Sequence, residues 1–157
     1  MTDKELMLAA IKEAEEGILA GDGGPFGAVV SFEGEIIGKA HNSVLKDKDS
    51  THHAEMQAIS RASSSLDKFD LSRCTIYTTT EPCPMCFSAI HWARIDKIVY
   101  GSGIQDVMAL GFNELAIPAL KLKKMSDLTV QIESGFMLDE CKDLLSKWSS
   151  LPNRQTY

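Results

Sequence analysis

Two cysteines, Cys83 and Cys86, lie three positions apart in the stretch TEPCPMCFSA from Thr80 to Ala89. A C-x-x-C pair is compatible with a redox couple, a disulfide or half of a metal site. Pro84 suits the first turn of a helix, where its missing N–H is not needed. Cys83 would then precede the helix and Cys86 would be its third residue, so the helix dipole would stabilise a thiolate at either position. A thioredoxin-like redox pair has the same placement, so this stretch alone leaves both functions open.

The sequence HAE, from His53 to Glu55, favours a metal site. One imidazole and two thiolates would give zinc three protein ligands and leave its fourth position open to water, as in catalytic zinc sites. Glu55 lies just inside a predicted helix and could reach that water without binding the metal. Zinc lowers the pKa of a bound water toward ~7, and a nearby carboxylate can transfer its proton to a leaving group. The pattern therefore predicts a zinc-dependent hydrolytic site with one Zn²⁺ per chain.

The remaining histidines and cysteines have simpler interpretations. His52 precedes His53, but the H-x-E spacing belongs to His53, so we interpret His52 as a loop residue. Cys74 lies in a predicted strand and Cys141 in a predicted amphipathic helix, where both are expected to be small buried packing residues. A thiol redox protein remains an alternative, and alkylation of its cysteines would inactivate it whereas metal chelation would not.

Length and composition indicate one soluble globular domain over residues 1–157, with 44% apolar and 24% charged residues. The net charge of −6 gives no general attraction for nucleic acid. The most basic stretch, Lys121 to Met125, is interpreted as a solvated loop. No apolar run approaches the ~20 residues of a membrane helix. The charged N-terminal stretch and the scattered cysteines lead us to expect a cytoplasmic protein without a membrane partner.

Hydrophobic periodicity predicts helices alternating with strands, which is typical of an α/β domain with an α/β/α layered architecture. Thr2 and Glu5 form a capping-box pattern for a first helix that ends at the glycines after Gly21. A hairpin is predicted to turn at Glu33-Gly34. The other predicted helices start near His53, at Pro84 and near Leu138, and the other predicted strands are Cys74 to Thr80, Lys97 to Gly103 and Leu128 to Gly135.

Longer stretches make the whole chain similar to the cytidine deaminase-like superfamily and, within it, to the small bacterial guanine deaminases. These stretches are GGPFGAVV, THHAEMQAI, TEPCPMCFSAIHWARI and GFNE, together with a final tyrosine. Transfer-RNA adenosine deaminases have close versions of the zinc motif. The resemblance implies a three-layer α/β/α sandwich with a five-stranded mixed sheet, in which zinc is held where two helix N-termini meet.

The resemblance also implies roles for individual residues. Glu55 matches the proton shuttle, and the residues that match the zinc ligands are His53, Cys83 and Cys86. The residues that match substrate-binding positions are Phe26, Asn42, Ala54, Trp92 and Tyr157. Asn42, which we place on the second strand of the hairpin, would hydrogen-bond the purine, whereas its residue type alone also fits a turn. Phe26 and Trp92 would pack around the base, although each also fits a hydrophobic core. Tyr157 would close the site, or it could be an exposed terminal residue.

Glu114, in GFNE, differs from the sequence expected of the family, since family members can have aspartate at this position. That acidic residue reads the amino edge of guanine and is expected to share in catalysis. Glutamate keeps the charge but extends one methylene farther, which could reshape the pocket to admit guanosine or a related aminated ring.

The resemblance implies hydrolytic deamination of guanine to xanthine and ammonia, in purine salvage or catabolism. A small-molecule purine is therefore the expected partner, together with a second copy of the chain in a homodimer that could exchange C-terminal segments. Alternatives are deamination of guanosine, cytosine or tRNA adenosine, although the acidic balance disfavours tRNA. A further alternative is a non-catalytic interaction subunit, but such a subunit would have no use for Glu55 beside a metal-bound water.

Overall fold

A five-stranded sheet with helices on both faces forms the protein, and the computed structural model describes all residues from 1 to 157. The strands are β1 (Gly27–Phe32), β2 (Glu35–His41), β3 (Cys74–Thr80), β4 (Lys97–Ser102) and β5 (Gln131–Ser134). The helices are α1 (Asp3–Ala20), α2 (Val44–Asp47), α3 (Ala54–Leu66), α4 (Pro84–Trp92), α5 (Ile104–Met108), α6 (Ala119–Met125) and α7 (Leu138–Ser149). No helix is both long and apolar enough to cross a membrane.

The sheet is mixed, with strand order β2-β1-β3-β4-β5. Strand β1 pairs antiparallel with β2 and β3, whereas β3, β4 and β5 run parallel. The β1–β2 hairpin turns at Glu33 and Gly34, both with positive φ (51° and 79°), as the sequence predicts. Because β3 and β4 are parallel, α4 and α5 both start at the same edge of the sheet. In open α/β sheets this carboxyl edge is the usual place for a ligand site.

Two apolar layers separate the sheet from the helices. On one face, Val29, Tyr77 and Val99 pack against buried residues of α1 and α7. On the other face, side chains of α3, α4 and α6 pack against alternate residues of β1, β3 and β4. The predicted α/β/α sandwich is therefore confirmed. Cys74 and Cys141 are fully buried, as expected of packing residues.

Three short helices, α2, α5 and α6, are absent from the sequence prediction. Lys121 to Met125 lies in α6, so its interpretation as a loop was wrong. Alanine, leucine and lysine are good helix formers, and Pro118 is the N-cap residue that precedes the helix. Ala119 is fully buried, whereas Lys121 and Lys124 are exposed. These two lysines therefore lie on the solvent-facing side of a packed helix.

Candidate active site

The N-termini of α3 and α4, two helices in contact, form the centre of the site. His53 is the N-cap residue of α3 (φ −67°, ψ 155°) and Cys83 is the N-cap residue of α4 (φ −63°, ψ 166°). Neither side chain caps its own helix, so both are free to approach a common point. Cys86 is the third residue of α4, in the position expected from Pro84.

The His53 imidazole lies at nearly equal distances from the two sulfurs. Its Nδ1 is 3.7 Å from Sγ of Cys83 and 3.6 Å from Sγ of Cys86. A tetrahedral zinc ion with Zn–N bonds of ~2.05 Å and Zn–S bonds of ~2.3 Å requires nitrogen–sulfur separations of about 3.6 Å. The three residues therefore fit zinc in both donor type and spacing. An imidazole shared equally by both sulfurs also favours a metal site over a redox couple.

The surroundings of Cys83 favour its thiolate form. A hydrogen bond from the Cys86 thiol lowers the pKa of Cys83 to about 4, against the opposing effect of burial, and His53 contributes in the same direction. The same hydrogen bond, together with burial, raises the pKa of Cys86. Because thiolates are the form that binds metal, Cys83 is prepared to act as a ligand before any ion arrives.

Glu55 is the second residue of α3 and lies beside the cluster. Its side chain is buried, with 6% of the residue exposed. Burial raises the pKa of this carboxyl to about 7, although the nearby His53 has the opposite effect. A carboxyl group that titrates near neutral pH can both accept and release a proton, which is what a proton shuttle requires.

A small cavity adjoins His53, Glu55 and Cys83. Its free volume is about 20 Å³, enough for one water molecule and far too small for a purine ring. The lining residues come from six separate stretches of the chain: Phe26, Asn42, His53, Glu55, Thr78, Thr80, Glu81, Cys83, Glu114 and Tyr157. A substrate must therefore displace part of this lining when it enters.

Tyr157, the last residue, lines the cavity of its own chain beside His53 and Phe112. Its ring centroid is 5.2 Å from that of Phe112 and 6.5 Å from that of His53. Its carbonyl oxygen accepts a hydrogen bond of 2.9 Å from the N–H of Asn113. The buried phenolic hydroxyl has no hydrogen-bond partner, and burial raises its pKa. Tyr157 is thus part of the site rather than an exposed terminal residue.

Asn42 presents a free donor to the cavity. Its Oδ1 accepts hydrogen bonds from the N–H groups of Gly24 (3.3 Å) and Val44 (3.2 Å), which fixes the side chain. Its Nδ2 is buried without a partner, an arrangement that usually signals a missing ligand or water. The sequence predicts Asn42 on the second strand of the hairpin. That strand, β2, ends at His41, so Asn42 directly follows it and the prediction was wrong. Gly23 approaches it so closely that a Cβ there would overlap the amide.

The other predicted substrate contacts have different outcomes. Phe26 lines the cavity and packs edge-on against Phe112, with ring centroids 5.1 Å apart. Ala54, the first residue of α3, is fully buried in the hydrophobic core and is not among the residues that line the cavity. Trp92 is not brought to this cavity. It ends α4, roughly 14 Å along the helix axis from Cys83, and is 77% exposed.

Glu114 reaches the cavity from the irregular segment between α5 and α6. Its side chain is half-buried, and burial raises the pKa of its carboxyl. The nearby Cys83 shifts the pKa in the same direction. Two carboxyl groups, those of Glu55 and Glu114, therefore line the same small space beside the cluster.

Glu81 is a cavity residue to which the sequence analysis assigned no role. It is 8% exposed and follows β3 directly. Its two carboxylate oxygens accept hydrogen bonds from the N–H groups of Ile104 (2.9 Å) and Ala119 (2.8 Å). The available signal was an acidic residue between a buried strand and the C-x-x-C pair. Phe112, in the stretch GFNE, was also missed, and it packs against both Phe26 and Tyr157.

Comparison with known proteins places these features in a family. Residues 1–102, which include all three cluster residues and Glu55, match the family model described as the cytidine and deoxycytidylate deaminase zinc-binding region. The solved structure of guanine deaminase from Nitrosomonas europaea superimposes with a TM-score of 0.87 and 31% identity, over 96% of this chain and 86% of that chain.

Two relatives from Bacillus subtilis (strain 168) have different substrates in their names. The chain is 35% identical to a guanine deaminase over 157 residues, all of both chains. It is 36% identical to a tRNA-specific adenosine deaminase over 147 residues, covering 93% of this chain and 88% of the relative. Overall identity therefore does not separate a free base from a nucleotide in RNA as the substrate.

Proposed function

Since the chain belongs to the cytidine and deoxycytidylate deaminase family, we propose that it catalyses the hydrolytic deamination of guanine to xanthine and ammonia. The observation that supports a free base is that Tyr157 of the same chain lies in the lining of this small cavity. A single purine requires this tail to move aside. A nucleotide within RNA would require the tail to stay displaced, because its ribose and two phosphates extend out of the cavity.

The polar groups of the cavity suit guanine better than adenine. Guanine presents a ring N–H and an amino group side by side, and the Glu114 carboxylate can accept from both. Adenine has an acceptor ring nitrogen beside its amino group. The lone pair of that nitrogen would face the Glu114 carboxylate, which is also an acceptor, and the two groups would repel each other. The unpartnered Nδ2 of Asn42 can donate to a ring nitrogen or to the carbonyl oxygen of guanine.

In the proposed reaction, His53, Cys83 and Cys86 would hold zinc, which would act as a Lewis acid and lower the pKa of water toward neutral pH. Glu55 takes a proton from the attacking water and delivers it to a ring nitrogen of the base. The water oxygen bonds to the carbon that bears the amino group. Glu55 then helps to protonate the departing amine, so that guanine and water give xanthine and ammonia. Glu114 holds the amino group in place.

The direct test is ammonia release from guanine, guanosine, adenine, cytosine, cytidine and a tRNA anticodon stem-loop, each with and without a zinc chelator. We expect turnover of guanine alone, its loss on chelation, and one zinc per chain by metal analysis. Turnover of guanosine would support the proposed mechanism but would make the nucleoside, and not the free base, the substrate. Turnover of the stem-loop would favour the second candidate, tRNA adenosine deamination, which the identity to such enzymes supports and the net charge of −6 disfavours.

We also propose that the chain forms a homodimer through α4 and α6. These helices contact each other and expose Trp92 (77%), Leu120 (52%) and Met125 (74%) to solvent. Exposed apolar side chains on neighbouring elements mark protein interaction surfaces. Light scattering should give a dimer for the parent chain and a monomer for Trp92→Asp, whereas a monomeric parent would overturn this proposal. Exchange of C-terminal segments is not needed to close the site.

A further inference from the structure

Glu81 connects two parts of the chain that flank Glu114. Its Oε2 accepts the hydrogen bond from Ile104, the first residue of α5, and its Oε1 accepts the one from Ala119, the first residue of α6. Both of these residues are buried. One carboxylate therefore holds the start of two helices, where N–H groups without intrahelical partners and the helix dipoles favour a negative charge.

No local residue replaces Glu81 at the start of α6. The N-cap residue of this helix is Pro118, which has no polar side chain and makes no side-chain cap. Side chains normally satisfy such N–H groups from the N-cap position itself. The only side-chain acceptor for the N–H of Ala119 comes from 38 positions away in the sequence. A contact this distant suggests that α6 has to start at a defined place.

The position of Glu114 depends on where α6 starts, because few other contacts hold the residues between Glu114 and Pro118. From Glu114 to Pro118 the backbone hydrogen bonds are local, from Glu114 to Phe112 and from Ile117 to Leu115. Leu115 is 63% exposed. The fixed points on either side are therefore Phe112, packed among aromatic rings, with Asn113 bonded to Tyr157, and Ala119, bonded to Glu81.

Glu81 itself lies at a rigid point. Its N–H donates a 2.8 Å hydrogen bond to the carbonyl oxygen of Ser102, at the end of the neighbouring parallel strand. It also lines the same cavity as Glu55 and Glu114. The cysteine pair follows immediately, with Cys83 two residues farther along. Thus one short stretch at the carboxyl edge of β3 connects to the metal cluster on one side and to the Glu114 segment on the other.

We propose that Glu81 is a positioning residue for substrate recognition, which places the Glu114 carboxylate against the amino edge of the base by holding both ends of the Ile104 to Ala119 segment. This inference rests on the proposed function of Glu114 in binding a purine. Glu81→Gln keeps the length of the side chain but leaves one acceptor oxygen, so one of the two backbone N–H groups would face an amide NH₂.

The test is a double-mutant cycle on Glu81→Gln and Glu114→Gln, with ammonia release from the preferred base as the readout. We expect Glu81→Gln to lower kcat/KM roughly tenfold, mainly through KM, in the parent chain. In the Glu114→Gln background it should cost less than about twofold, since the residue that it positions is already lost. Equal losses in both backgrounds would overturn the proposal, because a purely structural effect is additive.

Asp106→Asn is the matched control. Asp106 accepts a 2.9 Å hydrogen bond from the N–H of Gly103 at the start of the same helix, α5, but does not reach α6. It should change kcat/KM by less than about twofold in either background. If Glu81→Gln does not fold, Glu81→Asp keeps the charge, is too short to reach both N–H groups, and enters the same cycle.

Amide hydrogen exchange gives a readout that does not depend on the substrate. In Glu81→Gln we expect amides from 111 to 119 to exchange roughly tenfold faster, while those of α4 and the zinc content stay unchanged. Unchanged exchange in this segment would contradict the proposal even if guanine is turned over. Faster exchange in a protein that deaminates no base would reject the proposed function. It would still support the structural role of Glu81 in holding the segment from 111 to 119.

Discussion

The metal cluster and the substrate side of the cavity are built in different ways. His53, Cys83 and Cys86 sit on the first turns of two helices that pack on the sheet, so their positions follow from regular backbone. Glu114 and Tyr157 lie on segments without regular secondary structure. A few long-range contacts hold these segments, such as the hydrogen bond from Asn113 to Tyr157 and those from Ile104 and Ala119 to Glu81.

Under the proposed function, this difference separates the reaction chemistry from the choice of substrate. A proton shuttle and a metal have to be placed within fractions of an ångström, and helix termini provide such precision. Substrate choice needs a surface that can adjust, because the free volume of about 20 Å³ in this cavity cannot hold a base. Irregular segments with few contacts move at low cost. Substitutions in the cluster should therefore abolish activity, whereas substitutions on the substrate side of the cavity should alter KM and substrate preference.

The largest effect is expected for His53→Ala, with His52→Ala as its control. Loss of one of three ligands should remove zinc and reduce turnover below detection. The side chain of His52 pairs with Asp47 and Asp49 near the surface, and its backbone contacts do not depend on the imidazole, so His52→Ala should keep zinc and a kcat/KM within about twofold of the parent. Metal analysis and ammonia release distinguish the two variants. Retention of zinc by His53→Ala would contradict the ligand assignment.

Glu55→Gln should lower kcat by roughly 10²–10⁴-fold while the zinc content stays near that of the parent, since Gln cannot accept and return a proton. Because burial already raises the pKa of this carboxyl to about 7, a neutral side chain of the same size should fold without loss of stability. Thermal unfolding monitors that control. A variant with substantial turnover would exclude Glu55 as the proton shuttle.

Tyr157→Ala tests the substrate side of the cavity. Removing the ring opens the site and should lower kcat/KM roughly tenfold, mainly through KM, because the base loses its cover. Tyr157→Phe keeps the ring that packs on Phe112 and should lose no more than about threefold. If both variants lose equally, the hydroxyl rather than the ring is the important group. Steady-state kinetics on guanine decides between them.

The smallest effect is expected for Glu114→Asp, which retains the charge and shortens the side chain by one methylene. We expect kcat/KM for guanine to change by no more than about threefold, against roughly tenfold for Glu114→Gln, which loses the charge. The ratio of guanine to guanosine turnover is the sensitive readout. A loss in Glu114→Asp as large as in Glu114→Gln would mean that reach, and not charge, sets the specificity.

Several features of the site were predictable from sequence because their determinants are local. The spacing of His53 and Glu55, and the placement of Pro84 as the first helical residue directly after Cys83, depend only on helix geometry within a few residues. The hairpin turn at Glu33-Gly34 and the helix end at Gly21 follow from backbone preferences in the same way. The strand and helix alternation and the burial of Cys74 and Cys141 follow from apolar periodicity.

Other features depend on contacts between residues far apart in the chain. Only the folded chain shows that Glu81 bonds to Ala119, that Trp92 lies outside the cavity of its own chain, and that Tyr157 returns to cover His53. Lys121 to Met125 forms a helix because Ala119 packs in the core and Glu81 caps the first turn, neither of which local propensity reveals. By itself, then, the sequence determined where His53, Glu55, Cys83 and Cys86 lie at the starts of their helices, since these placements rest on short-range geometry. The tertiary structure alone decided how the substrate side is held and closed, since hydrogen bonds and packing across the chain set it.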